Sequence, residues 1–119
     1  VKKEQPFAEP MLFNLVFGHK GGMQPVPEML SAFRSFVPKD ALWGVTHFGR
    51  DNWTFLAMAI AMGASVVRVG FEDSPYLTEG EAAEHNYQIV EKTAALIRSM
   101  GLDTASPMEA REILHLKRK

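Results

Sequence analysis

The stretch Ser65-Val66-Val67-Arg68-Val69-Gly70-Phe71-Glu72-Asp73 is an apolar run interrupted by one cation and closed by two acids. Its β-branched valines favour an extended backbone, so the run reads as a strand from Ser65 to Phe71. Side chains alternate along a strand, which puts Val67, Val69 and Phe71 on one face and Arg68, Gly70 and Glu72 on the other. With helices over the apolar face, the charged face points into a barrel, where a charge needs a partner, a metal or water. Glu72 and Asp73 then fall at the C-terminal end of the strand, where barrels of this kind place their chemistry. A plainer reading makes Arg68 and Glu72 an ion pair on the solvent face of an edge strand, with Asp73 opening a turn before Pro75. Residue chemistry alone leaves both open.

Working outward, two similar runs lie upstream. Met11 to Phe17 (MLFNLVF) and Ala41 to Phe48 (ALWGVTHF) are nearly continuous apolar segments closed by Gly18 and Gly49, as buried parallel strands are. Between them, Pro27 opens a helix with Met29, Leu30, Phe33 and Phe36 on one face, and Pro38 stops it. Asp51 is placed to cap a helix carrying Phe55, Met58, Ala59 and Met62, ended by Gly63. Downstream, Thr78 with Glu81 predicts a capping-box start for the longest helix, along which Ala83, Tyr87, Val90, Ala94 and Ile97 keep helical spacing until Gly101. Ser106-Pro107-Met108-Glu109 is a second capping box, with Pro at the first helical position.

The order strand, helix, strand, helix, strand, helix, helix calls for an α/β fold of parallel strands with right-handed crossovers. About three strands buried on both faces would leave two open edges and a thin covering layer. Residues 1–119 are therefore expected to form the C-terminal segment of a single TIM (β/α)8-barrel domain whose N-terminal part is absent, since such a barrel needs roughly 250 residues.

Composition narrows the function. A net charge of −1 leaves no basic field to draw the chain onto nucleic acid or anionic lipid. Without cysteine there is no disulfide scaffold, thiolate metal site or thiol nucleophile, so any metal must be held by His, Asp or Glu. No apolar run approaches the length that crosses a bilayer, and the opening Val1-Lys2-Lys3-Glu4-Gln5-Pro6 has no signal-peptide pattern; a cytoplasmic enzyme is the expectation. Lys117-Arg118-Lys119 reads as a solvated end.

Other residues are open to two readings. His47, at the end of the second strand, could face a substrate pocket or be an ordinary hydrogen-bonded loop residue. Gly18-His19-Lys20-Gly21-Gly22 could present N–H groups and a lysine to an anion, yet it lacks the P-loop pattern and equally fits a flexible turn. Asn14 is a candidate inward polar group, His85 and His115 are expected on helix surfaces, and Met23, Met29, Met58 and Met62 are core filler.

Arg-Val-Gly-Phe-Glu-Asp-Ser-Pro-Tyr from Arg68 to Tyr76, followed by Gly80 and Asn86, resembles the R-V-G-x-E-D segment of the beta-keto acid cleavage enzymes. The resemblance runs back through Ala41-Leu42-Trp43-Gly44-Val45 and Gly49-Arg50, and on to Ala105 through Leu114, covering nearly all of the chain. It implies a zinc-dependent barrel enzyme, a homo-oligomer, that exchanges acyl groups between a beta-keto acid and acetyl-CoA to give acetoacetate and a new acyl-CoA. Carried over by position, it implies that Glu72 is a Zn2+ ligand, Asp73 the base that removes a proton alpha to the keto group, and Arg68 the group that orients Asp73. The family's other zinc ligands resemble a His-x-His pair, which does not occur here; His19, His47, His85 and His115 stand far apart. The resemblance thus places the remaining ligands in an N-terminal part of the protein, without which this segment is expected to be inactive. Two other classes stay open: a non-catalytic α/β module, and a phosphate-binding α/β protein using the Gly18 to Gly22 loop.

Overall fold

A computed structural model describes residues 10–116. Its elements are β1 (Leu12–Phe17), α1 (Pro27–Arg34), β2 (Leu42–His47), α2 (Thr54–Ala61), β3 (Val66–Arg68), β4 (Tyr76–Thr78), β5 (Glu81–Ala82), α3 (Asn86–Ser99) and α4 (Pro107–Ile113). Strands β1, β2 and β3 pair side by side, all parallel, in chain order. This is the expected α/β arrangement, consistent with part of a barrel. Among the described residues no helix is long and apolar enough to cross a membrane. Residues 1–6 and 117–119, read above for a leader and a solvated end, lie outside the described range.

Strand alternation gives the sheet two unlike faces. Phe13, Leu15 and Phe17 of β1 and Trp43 and Val45 of β2 turn toward the helices, where they meet Leu30 of α1 and Phe55, Leu56 and Ala59 of α2. Phe17 is at the centre, edge-on to Phe33 and Phe55 with centroids 5.6 and 4.9 Å away. Burying each of Phe17, Leu30 and Leu56 completely contributes about 1.5–3 kcal/mol. The opposite face carries Leu12, Asn14 and Val16, then Thr46, Val66 and Arg68. Nothing among the described residues covers Leu12, Val16 and Val66, each more than a third exposed. On this face Asn14, the candidate inward polar group, donates through Nδ2 to Thr46 Oγ1 at 3.0 Å.

Several local expectations need correction. Asp51 does not cap α2: Asn52 lies two residues before Thr54, the spacing of an Asx turn, and its Oδ1 accepts from the Thr54 backbone N–H at 3.1 Å and from its hydroxyl at 2.7 Å. Thr78 and Glu81 do not open a helix either. Gly80, at φ +81°, turns the chain back so that Thr78 and Glu81 become cross-strand partners in the antiparallel β4–β5 hairpin. The helix starts at Asn86, where Gln88 Oε1 accepts from the backbone N–H groups of both Glu84 and His85 at 2.9 Å. His85 therefore ends an extended segment instead of riding the helix, and His115 follows α4 at φ 54°.

The later start also changes which residues α3 buries. Ile89 and Thr93 are inside, while Tyr87 and Val90 are about half exposed. Val90, Ala94 and Ile97 do form a stripe, but it borders an open cleft of about 440 Å³ beside β3. The second capping box is as expected: Ser106 Oγ accepts from Glu109 N at 3.1 Å and Glu109 Oε1 accepts from Ser106 N at 2.9 Å. The helix it starts buries no side chain.

Candidate functional site

The third strand ends earlier than its valines suggest. Regular pairing stops at Arg68, and Gly70 at φ +145° turns the backbone so that its carbonyl accepts from the N–H groups of Asp73 and Ser74 at 3.1 and 3.0 Å. A side chain at Gly70 would be strained at this φ and would crowd Asn86 Oδ1, 3.3 Å from the position of a Cβ. That Asn86 oxygen accepts from the N–H of Phe71 at 2.9 Å, pinning the turn to the start of α3. Alternation past Arg68 therefore fails. Phe71, expected on the covered face, is 45% exposed, and Glu72 and Asp73 leave the strand on a turn.

The turn nevertheless brings together the three residues that the sequence singled out. Arg68 Nη2 is 3.2 Å from Glu72 Oε1, and Arg68 Nε donates to Asp73 Oδ2 at 3.1 Å. One guanidinium thus holds two adjacent carboxylates by separate nitrogens, an arrangement that suits its planar fork. The two acids differ sharply in environment: the Glu72 side chain is 86% exposed and that of Asp73 is 9% exposed. Among the described residues no donor meets Asp73 Oδ1.

A second set of contacts was not read from the sequence. The loop after β2 grips the segment after Asp73 along its length. Gly49 N–H donates to the Asp73 carbonyl at 2.8 Å, and the Ser74 hydroxyl donates to the Arg50 carbonyl. Arg50 Nη2 donates to the Tyr76 carbonyl at 2.6 Å, and Trp53 Nε1 to the Leu77 carbonyl at 2.9 Å. Arg50 is only 2% exposed and lies 3.9 Å from the centre of the Trp53 ring. Burial pushes its pKa down, against the pull of Asp51. The available signal was an Arg directly after a strand-ending Gly with Trp three residues on; nothing in residue type marks such an arginine as buried.

His47 stands at the C-terminal end of β2, edge-on to Phe55 at 5.2 Å. Among the described residues its Nδ1 is buried without a hydrogen-bond partner. Burial lowers its pKa, the Arg50 charge lowers it further, and Asp51 opposes both. His47, Gly18, Gly49 and Asn52 border a cleft of about 380 Å³ at the same end of the sheet. At this end His19 also stacks on Phe48, with centroids 4.1 Å apart. The Gly18 to Gly22 loop turns two of its own donors inward, Gly18 N–H to Met23 O and Gly22 N–H to His19 O, both at 2.9 Å.

As a metal site the described residues are incomplete. Glu72 offers one exposed carboxylate, and among the described residues no group of three His, Asp or Glu side chains could hold an ion. The residues present do not by themselves fit Zn2+, which takes at least three protein ligands at a catalytic centre.

Comparison of the sequence with known proteins points to a family. The chain is 39% identical over 109 residues to the 3-keto-5-aminohexanoate cleavage enzyme of Acetoanaerobium sticklandii, covering 92% of this chain and 40% of that protein. It is 36% identical over 112 residues to the 3,5-dioxohexanoate:acetyl-CoA acetone transferase of Paraburkholderia graminis, covering 91% and 36%. To the 3-dehydrocarnitine:acetyl-CoA trimethylamine transferase of Rhizobium meliloti it is 32% identical over 114 residues, covering 93% and 36%. The chain thus spans about two fifths or less of the length of these relatives. The model of the beta-keto acid cleavage enzymes matches residues 1–116, and the chain belongs to that family.

Proposed function

We propose that the protein containing these residues cleaves a beta-keto acid by acyl exchange with acetyl-CoA, giving acetoacetate and a new acyl-CoA. The observation that carries this reading is the Arg68–Asp73 pair, a nearly buried carboxylate with one oxygen held by a cation at 3.1 Å at the C-terminal end of the sheet. The names of the relatives support the reaction class, since two of them specify transfer involving acetyl-CoA. In this reading Asp73 takes the acidic proton alpha to the keto group through Oδ1 while Arg68 fixes the carboxylate by Oδ2. Arg68 also pairs with Glu72, so one guanidinium offsets part of the negative charge of the two adjacent acids.

Glu72 is proposed as one ligand of Zn2+, with the others, a His-x-His pair in the family pattern, supplied by residues outside this chain. When bound, Zn2+ polarises carbonyl oxygens. The 86% exposure of the Glu72 side chain leaves it accessible to such a centre. The uncovered sheet face is read as the inside of a TIM barrel whose remaining strands lie elsewhere in the protein, and the family resemblance extends the proposal to a homo-oligomer.

The test is made on the full protein with two substitutions. Asp73→Asn is expected to keep zinc, measured by elemental analysis, and to lose acetyl-CoA-dependent acetoacetate formation. Glu72→Gln is expected to lose zinc. The reverse pattern would sink the assignment of roles.

A further inference from the structure

We propose that Arg50, Trp53 and Ser74 form a clamp whose function is to position Asp73, and that they are positioning residues of the reaction although none belongs to its acid–base machinery. The inference rests on the reading of Asp73 as the base. Its starting point is how Asp73 is held. Among the described residues the carboxylate has one side-chain partner, Arg68, at 3.1 Å, whose own side chain is about half exposed. The backbone of Asp73 fixes where the carboxylate can go, and it is anchored on both sides, by Asp73 N–H to Gly70 O at 3.1 Å and by Gly49 N–H to Asp73 O at 2.8 Å.

The segment that follows is extended and has no strand partner of its own before β5, yet it is held down at successive residues. Ser74, 3% exposed, donates its hydroxyl to Arg50 O and accepts from Tyr76 N at 3.3 Å. Arg50 Nη2 reaches Tyr76 O at 2.6 Å and Trp53 Nε1 reaches Leu77 O at 2.9 Å. The chemistry of Arg50 argues for more than packing. Among the described residues it makes no ion pair, and its Nη1 is buried without a hydrogen-bond partner. Burying a guanidinium with one acceptor and an aromatic face costs free energy that an apolar side chain would not incur. Such a cost is the mark of a site constraint. The constraint is geometric: the loop after β2 sets the height of the Asp73 turn above the sheet. Near-attack geometry is steep, and a displacement of about 1 Å can cost roughly 100-fold in rate.

Ser74→Ala and Trp53→Phe in the full protein test this; the phenylalanine keeps an aromatic face for Arg50 and removes only the N–H. For each folded variant we expect kcat to fall roughly tenfold or more with KM for acetyl-CoA within about twofold. The Gly49 amide should exchange with deuterium faster while the amides of Leu42 to His47 keep their protection. A purely structural role would lower the melting temperature and leave kcat per folded molecule unchanged, and that result overturns the clamp. Asp73→Asn is assayed alongside. An active Asp73→Asn overturns the base assignment, and Gly49 exchange then decides the clamp alone, unchanged exchange refuting it. An inactive Asp73→Asn with unchanged kcat in both clamp variants refutes the clamp and keeps the base.

Discussion

Glu72 and Asp73 are neighbours in the chain with opposite surroundings, and the difference comes from a turn, not from the residue types. Arg68, Glu72 and Asp73 were legible as candidates because opposite charges inside an apolar strand need an explanation. What was not legible is the break at Gly70, whose φ of +145° ends the alternation on which facing was argued. Arg50 was equally hidden, since a long cationic side chain is more often solvated than buried. His47 was visible, but its partial burial beside Arg50 was not, and that setting carries a pH prediction. Its pKa is pushed below the ordinary 6.5, first by burial and then by Arg50. The unfolded chain therefore binds the proton more readily than the native one, so stability falls as pH drops from about 6.5 toward the lowered value and is level above it. Denaturant unfolding between about pH 5 and 7 should show this slope in the native sequence and a flatter one in His47→Asn.

The parallel strands and the helices between them were readable because continuous apolar runs ending at Gly18 and Gly49 have few other interpretations. The β4–β5 hairpin was not, because Thr78-Glu79-Gly80-Glu81 carries the residues of a capping box and of a turn at once. Gly80 decided for the turn. At Ser106 no such competition exists, and the capping box formed. Because α4 buries nothing, its stability depends largely on local bonds. Ser106→Ala is expected to destabilise that helix by about 1 kcal/mol. Faster amide exchange confined to Glu109 through Ile113, with the global unfolding midpoint little changed, is the expected signature; a large global shift would mean that α4 docks more firmly than its exposure shows.

For the whole molecule, the most informative surface is the sheet face that carries Leu12, Val16 and Val66 with Asn14, Thr46 and Arg68. A solvent face tolerates lysine in place of a 39% exposed valine at a cost within about 0.5 kcal/mol. A barrel interior does not, because an unpaired ammonium is buried there. In the full protein Val16→Lys is therefore expected to destabilise by on the order of 3 kcal/mol or more, read by chemical denaturation; a neutral result would argue that the face is wet and that the sheet is not part of a closed barrel.

The sheet also has a temporal consequence. Leu12 pairs with Leu42 and Gly44 with Val66, so among the described residues β1 bonds to β2 and β2 to β3, each the next strand along the chain. Loop closure then favours growth in sequence, with β1 and β2 meeting first and β3 adding to a platform already in place. The acids are expected to arrive last, because their turn hangs from the loop after β2 and from Asn86 at the start of α3. Folding kinetics can record that order: Val45→Ala should slow folding, whereas Ser74→Ala should mainly speed unfolding, with a φ-value near zero. Assembly and chemistry would then be separated in time, the scaffold committing before its reactive edge is finished.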